Sequence, residues 1–162
     1  MSYMKPSSDG AHVTASRSSS ISEAKRIAQF MDLPRASSID DMGLVDRVRK
    51  GFPARTARVV VKRIDPEGQF VRETDLIPKS TLHRRKDRPL TKDESEKILS
   101  LSRVFLETLR IYHEDADRAA RFLKQPHPML TGRSPIDLAT ESTVGADLVL
   151  KLLLQADAGV AA

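Results

Sequence analysis

The segment "LTKDESEKILSLSRVFLETLRIYH" (residues 90–113) restricts the fold of this chain more than any other. Thr91 and Glu94 have the spacing of a capping box, in which two side chains satisfy free backbone groups at the start of a helix. Apolar residues then recur every three or four positions, which places them on one face of a helix. They are Ile98, Leu101, Phe105, Leu109 and Tyr112. This long amphipathic helix predicts a small helical protein.

The region before this helix begins with a tail. Residues 1–19 are polar and lack periodicity, which predicts disorder. In "SISEAKRIAQFM", Ser20 and Glu23 again have capping-box spacing, so we expect a short amphipathic helix that Pro34 stops. Its apolar face comprises Ile21, Ala24, Ile27, Ala28 and Met31. This helix is expected to pack on a partner or on the next domain. A marginal helix that frays is the alternative.

Residues 42–86 contain four short helical patterns. "GLVDRVRKG" predicts a helix that ends at Gly51, and "PARTARVVVKRI" favours a helix that begins at Pro53. A strand through "VVV" is the alternative for the second segment. Its inward residues would be Val59, Val60 and Ile64. "VRETDLI" and "PKSTLHRRK" predict two very short helices that meet at Pro78.

The region after the long helix predicts further helices and no strand, so the fold class is all-α. "EDADRAARFLKQ" is expected to bury Ala116, Ala119, Ala120 and Leu123. Pro126 and Pro128 stop that helix, Gly132 permits a tight turn, and Ser134 and Pro135 begin another helix. A final helix from Thr143 to Gln155 is expected to bury Val144, Leu148, Leu152 and Leu153.

Composition excludes several classes of function. The chain has no cysteine, and its four histidines are scattered, so we expect no disulfide and no metal site. Glu114, Asp115 and Asp117 cluster where a helix begins, which their charge explains. No phosphate-binding loop or nucleophile motif is present, so we expect no cofactor and no enzymatic activity. Without a long apolar run or a secretory signal, we expect a cytoplasmic protein that does not enter membranes.

Positive charge is concentrated in the middle of the chain. Residues 41–90 carry thirteen Lys and Arg against seven Asp and Glu, whereas the whole chain has a net charge of +5. In the same region, "VRETDLIPKSTLHRRK" has the form of a helix-turn-helix, with Leu76, Ile77 and Leu82 turned inward. The predicted DNA-binding residues are Lys79, Ser80, Thr81, His83, Arg84 and Arg85. A solvated basic surface is the alternative.

Two groups of motif residues resemble the Xre/MbcA/ParS-type antitoxins. The end of the predicted helix-turn-helix and the start of the long helix match through Thr81, Leu82, Arg84, Arg85, Leu90, Thr91, Glu94 and Ser95. "AARFLKQPHPMLTGRSPIDLA" resembles the toxin-binding core of the family through Ala119, Phe122, Leu123, Pro126, Leu130, Gly132, Pro135 and Leu138. Gly145, Val149 and the terminal "AGV" extend the resemblance, which covers residues 44–162.

The resemblance implies the antitoxin of a bacterial type II pair. Such a protein binds a RES-domain toxin that consumes NAD, covers the active-site cleft of the toxin and represses the shared operon. Sequence pattern and resemblance together predict three regions: a flexible tail with a short helix (1–40), which the resemblance does not cover, a helix-turn-helix domain (41–90) and a helical toxin-binding domain (91–162). The expected partners are the toxin and operator DNA, with a homodimer inside a larger complex.

The small residues at the end of the chain are the expected plug for the toxin cleft. The predicted toxin-binding residues are Asp157, Ala158, Gly159, Val160, Arg133 and Met129, with His127 beside them. The chain departs from the family at Ala158, where an aromatic residue or His is common, and at Phe122, where Trp is common. A frayed terminus is the alternative to a plug. The alternative function is a free-standing transcription regulator whose C-terminal domain only dimerises.

Overall fold

The structure, a computed structural model, describes residues 21–159, and this part of the chain is all-helical. The helices are α1 (Glu23–Phe30), α2 (Asp41–Lys50), α3 (Arg55–Ile64), α4 (Glu73–Leu76), α5 (Lys79–Arg84), α6 (Lys92–Ile111), α7 (Ala116–Lys124), α8 (Pro135–Glu141) and α9 (Thr143–Asp157). The predicted fold class is therefore confirmed for these residues, whereas the predicted disordered tail lies outside them. Within residues 21–159, no helix is both long and apolar enough to cross a membrane.

Helix α6 is the central element of the fold, since α1, α2, α3, α7, α8 and α9 all contact it. Its predicted capping box is present: Thr91 N donates to Glu94 Oε2 over 2.7 Å, and Glu94 N donates to Thr91 Oγ1 over 3.2 Å. Polar side chains on its buried face are satisfied locally. Ser102 Oγ and Thr108 Oγ1 donate to backbone carbonyls one turn earlier. The helix therefore packs on several sides without leaving buried hydroxyls unpaired.

Helix α1 packs against α2 and α6, so it belongs to the core of the chain rather than forming a free arm. Ala24, Ile27 and Ala28 are buried as predicted. The predicted cap is wrong, because Ser22 rather than Ser20 accepts the hydrogen bond from Lys25 N. Ile21 precedes the first turn and stays 60% exposed, so its predicted burial is also wrong.

The corner between α2 and α3 lies directly against the turn that leads into α6. Leu90 N donates to Phe52 O over 2.9 Å, and Phe52 N donates to Ser95 Oγ over 2.9 Å. Gly51 has φ +87°, and a Cβ on it would lie 1.8 Å from the carbonyl oxygen of Leu90. Only glycine allows this close approach of two backbones.

Segment 55–64 is a helix, not the alternative strand, and it buries Val60 and Ile64 as predicted. Val59 is only half-buried. Asp65 follows the helix and is 4% exposed, where it accepts hydrogen bonds from Phe70 N (2.6 Å) and Val71 N (3.0 Å). Burial raises the pKa of Asp65, but these backbone hydrogen bonds outweigh burial and leave it below its ordinary value.

Helices α8 and α9 form a tight pair. Ser142 caps α9 by accepting from Gly145 N over 3.0 Å, and a Cβ on Gly145 would lie 2.1 Å from Leu138 O. The buried face of α9 differs from the prediction, since Val144 is 67% and Leu148 47% exposed. The residues buried instead are Gly145, Ala146 and Val149, together with the correctly predicted Leu152 and Leu153.

Helix α9 is apolar on most of its circumference, so the spacing of its apolar residues does not select one face. The close approach of Gly145 to α8 makes that selection.

In α7, Ala119 and Leu123 are buried as predicted, but Ala120 is half-buried and Ala116 is exposed. Ala116 is the first residue of its helix and lies beyond the packed surface.

Candidate functional site

Helices α4 and α5 are two short helices joined by Ile77 and Pro78. Arg72 N donates to Asp75 Oδ2 over 2.8 Å, which closes the start of α4. Leu76 and Ile77 are 2% and 0% exposed, so they fix both helices to the core as the sequence predicted. Leu82 is half-buried on the inner side of α5.

The outer side of α5 carries four of the six predicted DNA-binding residues. Lys79, Ser80, His83 and Arg84 are exposed, and Thr81 is half-buried. The side chains of Lys79 and Arg84 form no ion pair with any residue in 21–159. Their positive charges are therefore available to a ligand.

Arg85, the sixth predicted DNA-binding residue, turns inward. Its Nη1 donates to Pro89 O over 3.0 Å, and its Nε lies 3.5 Å from Glu94 Oε2. The side chain is 27% exposed, and its buried Nε has no hydrogen-bond partner within the described chain. Arg85 therefore stabilises the turn between α5 and α6.

The proline-rich stretch folds α7 back onto α8. His127 N donates to Arg133 O over 3.0 Å, and His127 Nδ1 accepts from Met129 N over 3.2 Å. A 3-10 turn follows at Pro128–Leu130, and Gly132 has φ +76°, as its predicted turn requires. Ser134 accepts from Asp137 N over 3.3 Å and caps α8, as predicted.

Two of the predicted toxin-binding residues lie on this turn. Met129 is 58% exposed, which is unusual for a large apolar side chain. Arg133 Nη2 pairs with Glu141 Oε2, so its guanidinium is tied to the last residue of α8. The edge of the His127 ring faces Phe122, with 6.3 Å between ring centroids. Together these contacts tie the turn that carries Met129 to α7 and α8.

The other predicted toxin-binding residues lie at the end of α9. Asp157 is the last residue of the helix, Ala158 caps it, and Gly159 has φ +71°. Val160 lies outside the described residues. The end of α9 and the proline-rich turn are attached to different helices. The turn is bound to α8, and the end of α9 is bound to α6.

The anchor of α9 is an ion-pair network that sequence reasoning missed. Arg110 Nη2 donates to Asp157 Oδ2 over 2.7 Å and to Glu107 Oε1 over 2.8 Å. Hydrogen bonds to Glu107 and then to Asp157 raise the pKa of Arg110 above its ordinary value. Arg110 and Asp157 are 47 positions apart, so no local pattern could have revealed their contact.

Two members of the acidic cluster at the start of α7 have structural partners. Asp115 accepts from Arg118 N over 3.0 Å as the helix cap, and Glu114 pairs with Arg26 over 2.7 Å. Within residues 21–159, no group of three or more His, Asp or Glu side chains is arranged to hold a metal ion.

The proline-rich turn and the end of α9 both lie within a recognised domain. Residues 108–159 match the family model described as the antitoxin Xre/MbcA/ParS C-terminal toxin-binding domain. A search of curated proteins found no match to the chain. The matched segment contains the second group of motif residues, from Ala119 to Leu138, on which the resemblance was based. Residues 108–159 therefore correspond to the toxin-binding domain of the Xre/MbcA/ParS-type antitoxins.

Proposed function

We propose that the chain neutralises a RES-domain toxin that consumes NAD, by covering the active-site cleft of the toxin with the end of α9 and the residues after it. The observation that carries this proposal is the match of residues 108–159 to an antitoxin toxin-binding domain. We also propose that the protein is a cytoplasmic homodimer and represses its own operon through α4 and α5.

Exposed apolar side chains support a protein-binding role for the matched domain. Val144, Leu148 and Leu154 are 67%, 47% and 57% exposed on α9, and Met129 projects from the proline-rich turn. Exposed apolar surface of this kind marks protein interfaces when it forms a patch. Their position inside the matched segment favours a toxin over an unrelated partner.

The ion pair between Arg110 and Asp157 supports a specific role for the terminal residues. It fixes the end of α9 against α6. A terminal segment that starts from a fixed point loses less freedom when it enters a cleft. Asp157 is therefore assigned to positioning, and the residues after it are assigned to the cleft.

The test is to co-express the chain with the RES-domain toxin encoded beside it and to measure NAD consumption. The full chain should suppress NAD consumption. A chain truncated after Asp157 should still co-purify with the toxin, because Arg110 keeps its partner. It should permit NAD consumption, because the residues assigned to the cleft are removed. Full inhibition by the truncated chain would show that the plug is wrong, and failure of the full chain to bind the toxin would reject the antitoxin pairing.

The DNA-binding part of the proposal has its own test. In a gel-shift assay on the promoter region of the operon, replacing Lys79 and Arg84 together by Ala should abolish the shift. Both side chains are exposed on α5 and form no ion pair or side-chain hydrogen bond within the described chain, so folding should be unaffected. A shift of undiminished strength would reject α5 as the recognition helix.

A further inference from the structure

A groove separates the end of α2 from the turn between α5 and α6. Its volume is about 550 Å³. One wall carries Arg47 and Lys50, and the other carries Lys86 and Arg88. The second wall begins two residues after the end of α5, so it directly follows the predicted recognition helix in sequence.

The base of the groove is rigid. Gly51 packs against Leu90, and an antiparallel bridge joins Pro53 to Pro89. Arg85 adds a hydrogen bond to Pro89 O. The two walls therefore keep a fixed separation.

The groove holds four cations and one acid, Asp87. Within residues 21–159, the side chains of Lys50, Lys86 and Arg88 have neither an ion pair nor a hydrogen bond, and Arg47 Nη2 donates only to Pro34 O. Four positive side chains around one groove repel each other, and a bound anion would relieve this repulsion.

The helix dipole does not account for this arrangement. It favours Lys50 at the end of α2, but its effect is confined to the last turn of a helix. Arg88 lies in the turn before α6, close to the end of that helix where anions are preferred. The dipole therefore does not explain the positive charge of Arg88.

We propose that this basic groove binds the phosphate backbone of duplex DNA beside the contact made by α5. The proposal rests on the DNA-binding function proposed above. A groove with several long cationic side chains on two rigid walls fits a line of phosphates, and phosphate contacts fix the register of a recognition helix. The bases would be read by α5, and the groove would contribute affinity without sequence preference.

The experiment measures how DNA affinity depends on salt. Fluorescence anisotropy would be recorded between about 50 and 200 mM salt on a promoter duplex and on a shuffled duplex of equal length. The variant carries Lys50→Gln and Arg88→Gln. The matched control carries Arg121→Gln and Lys151→Gln, which remove the same charge from exposed positions of α7 and α9.

The variant should lose affinity for both duplexes by a similar factor. Its slope of log affinity against log salt should be about 1.8 smaller than that of the wild type, since each neutralised phosphate contributes about 0.9. The control should keep the slope of the wild type. Thermal melting of both proteins establishes that they are folded.

An unchanged slope in the variant, or an equal fall in the control, would overturn the proposal. Loss of toxin inhibition with an unchanged slope would also overturn it and would assign the groove to a protein partner. If replacing Lys79 and Arg84 abolishes binding while the groove variant binds normally, only the groove proposal fails. If the wild type binds neither duplex, the DNA-binding function itself fails.

Discussion

Single residues decide where two backbones can meet in this fold. Gly51 is the clearest case, because it combines a positive φ with a Cβ position only 1.8 Å from Leu90 O. The sequence predicted Gly51 as a helix end, a role that several residues can fill at moderate cost. The requirement for glycine comes from Leu90, 39 positions later, and so was not predictable from local pattern.

We expect Gly51→Ala to destabilise the protein by about 3 kcal/mol or more, because backbone strain and a steric clash act together. Gly68→Ala is the matched control, since Gly68 also has a positive φ but has open space around its Cβ position. The control should cost only about 1 kcal/mol. Urea denaturation measures both values, and equal losses would show that Leu90 O does not restrict this position.

Asp65 makes part of the stability dependent on pH. Its pKa in the folded state lies below its ordinary value, so its contribution is fully present above the unfolded pKa of about 3.9. The contribution is lost as the pH falls through the folded pKa. Asp65→Asn should cost about 1–2 kcal/mol at pH 7, because a charge-assisted hydrogen bond to two backbone groups is weakened.

Urea midpoints of the wild type and of Asp65→Asn, measured from pH 7 down to pH 3, check this prediction. The difference between the two proteins should be constant at neutral pH and should narrow below about pH 4. A difference that persists unchanged to the lowest pH would contradict the assigned role of the carboxylate.

At the scale of helices, α6 and α9 differ in how far their sequences determine their faces. The apolar residues of α6 alternate with charged ones, so Ile98, Leu101 and Phe105 were correctly placed in the core. Helix α9 has apolar residues around most of its surface, so periodicity favoured the wrong face. Contact with α8 through Gly145 selects the face that contains Val149.

Two alanine substitutions in α9 test this assignment. Val149→Ala should destabilise the protein by about 2 kcal/mol, since Val149 is 0% exposed. Leu148→Ala removes a larger side chain that is 47% exposed, and its cost should be well below that of Val149→Ala. The melting temperatures rank the two variants, and the opposite order would support the face expected from the sequence.

Weaker toxin binding by Leu148→Ala is also expected if this side chain lies in the interface.

At the scale of the whole molecule, the buried residues form one hydrophobic cluster that runs from Ala24 to Leu153. This cluster includes side chains from all three regions expected from the sequence. The boundaries at residues 40 and 90 stay predictions, but the short N-terminal helix contributes to the same core as α6. Unfolding is therefore expected to be a single cooperative event.

Ile27→Ala tests the contribution of α1 to the common core. Because Ile27 is 1% exposed, we expect a loss of about 2–4 kcal/mol and one transition at a lower temperature. Ile21→Ala, at a 60% exposed position just before the same helix, should leave the melting temperature nearly unchanged. Calorimetry that resolved two transitions would instead show that α1 unfolds independently.

The resemblance of the motif residues pointed to the toxin-binding domain, and sequence pattern alone predicted the helical class, most helix boundaries and the capping box of α6. These features depend on capping side chains, periodicity and turn residues that act within a few positions of each other. The short helices α4 and α5 and the caps of α6 and α8 were predictable for the same reason.

Four features depend on tertiary contacts: the buried face of α9, the inward turn of Arg85, the ion pair between Arg110 and Asp157, and the basic groove. Each depends on residues far apart in sequence. Lys50 and Arg88, for example, line one groove only because Phe52 and Leu90 join the two turns that carry them. Local pattern fixes which segments are helices, whereas steric fit and charge pairing between distant segments fix which side chains remain exposed for partners.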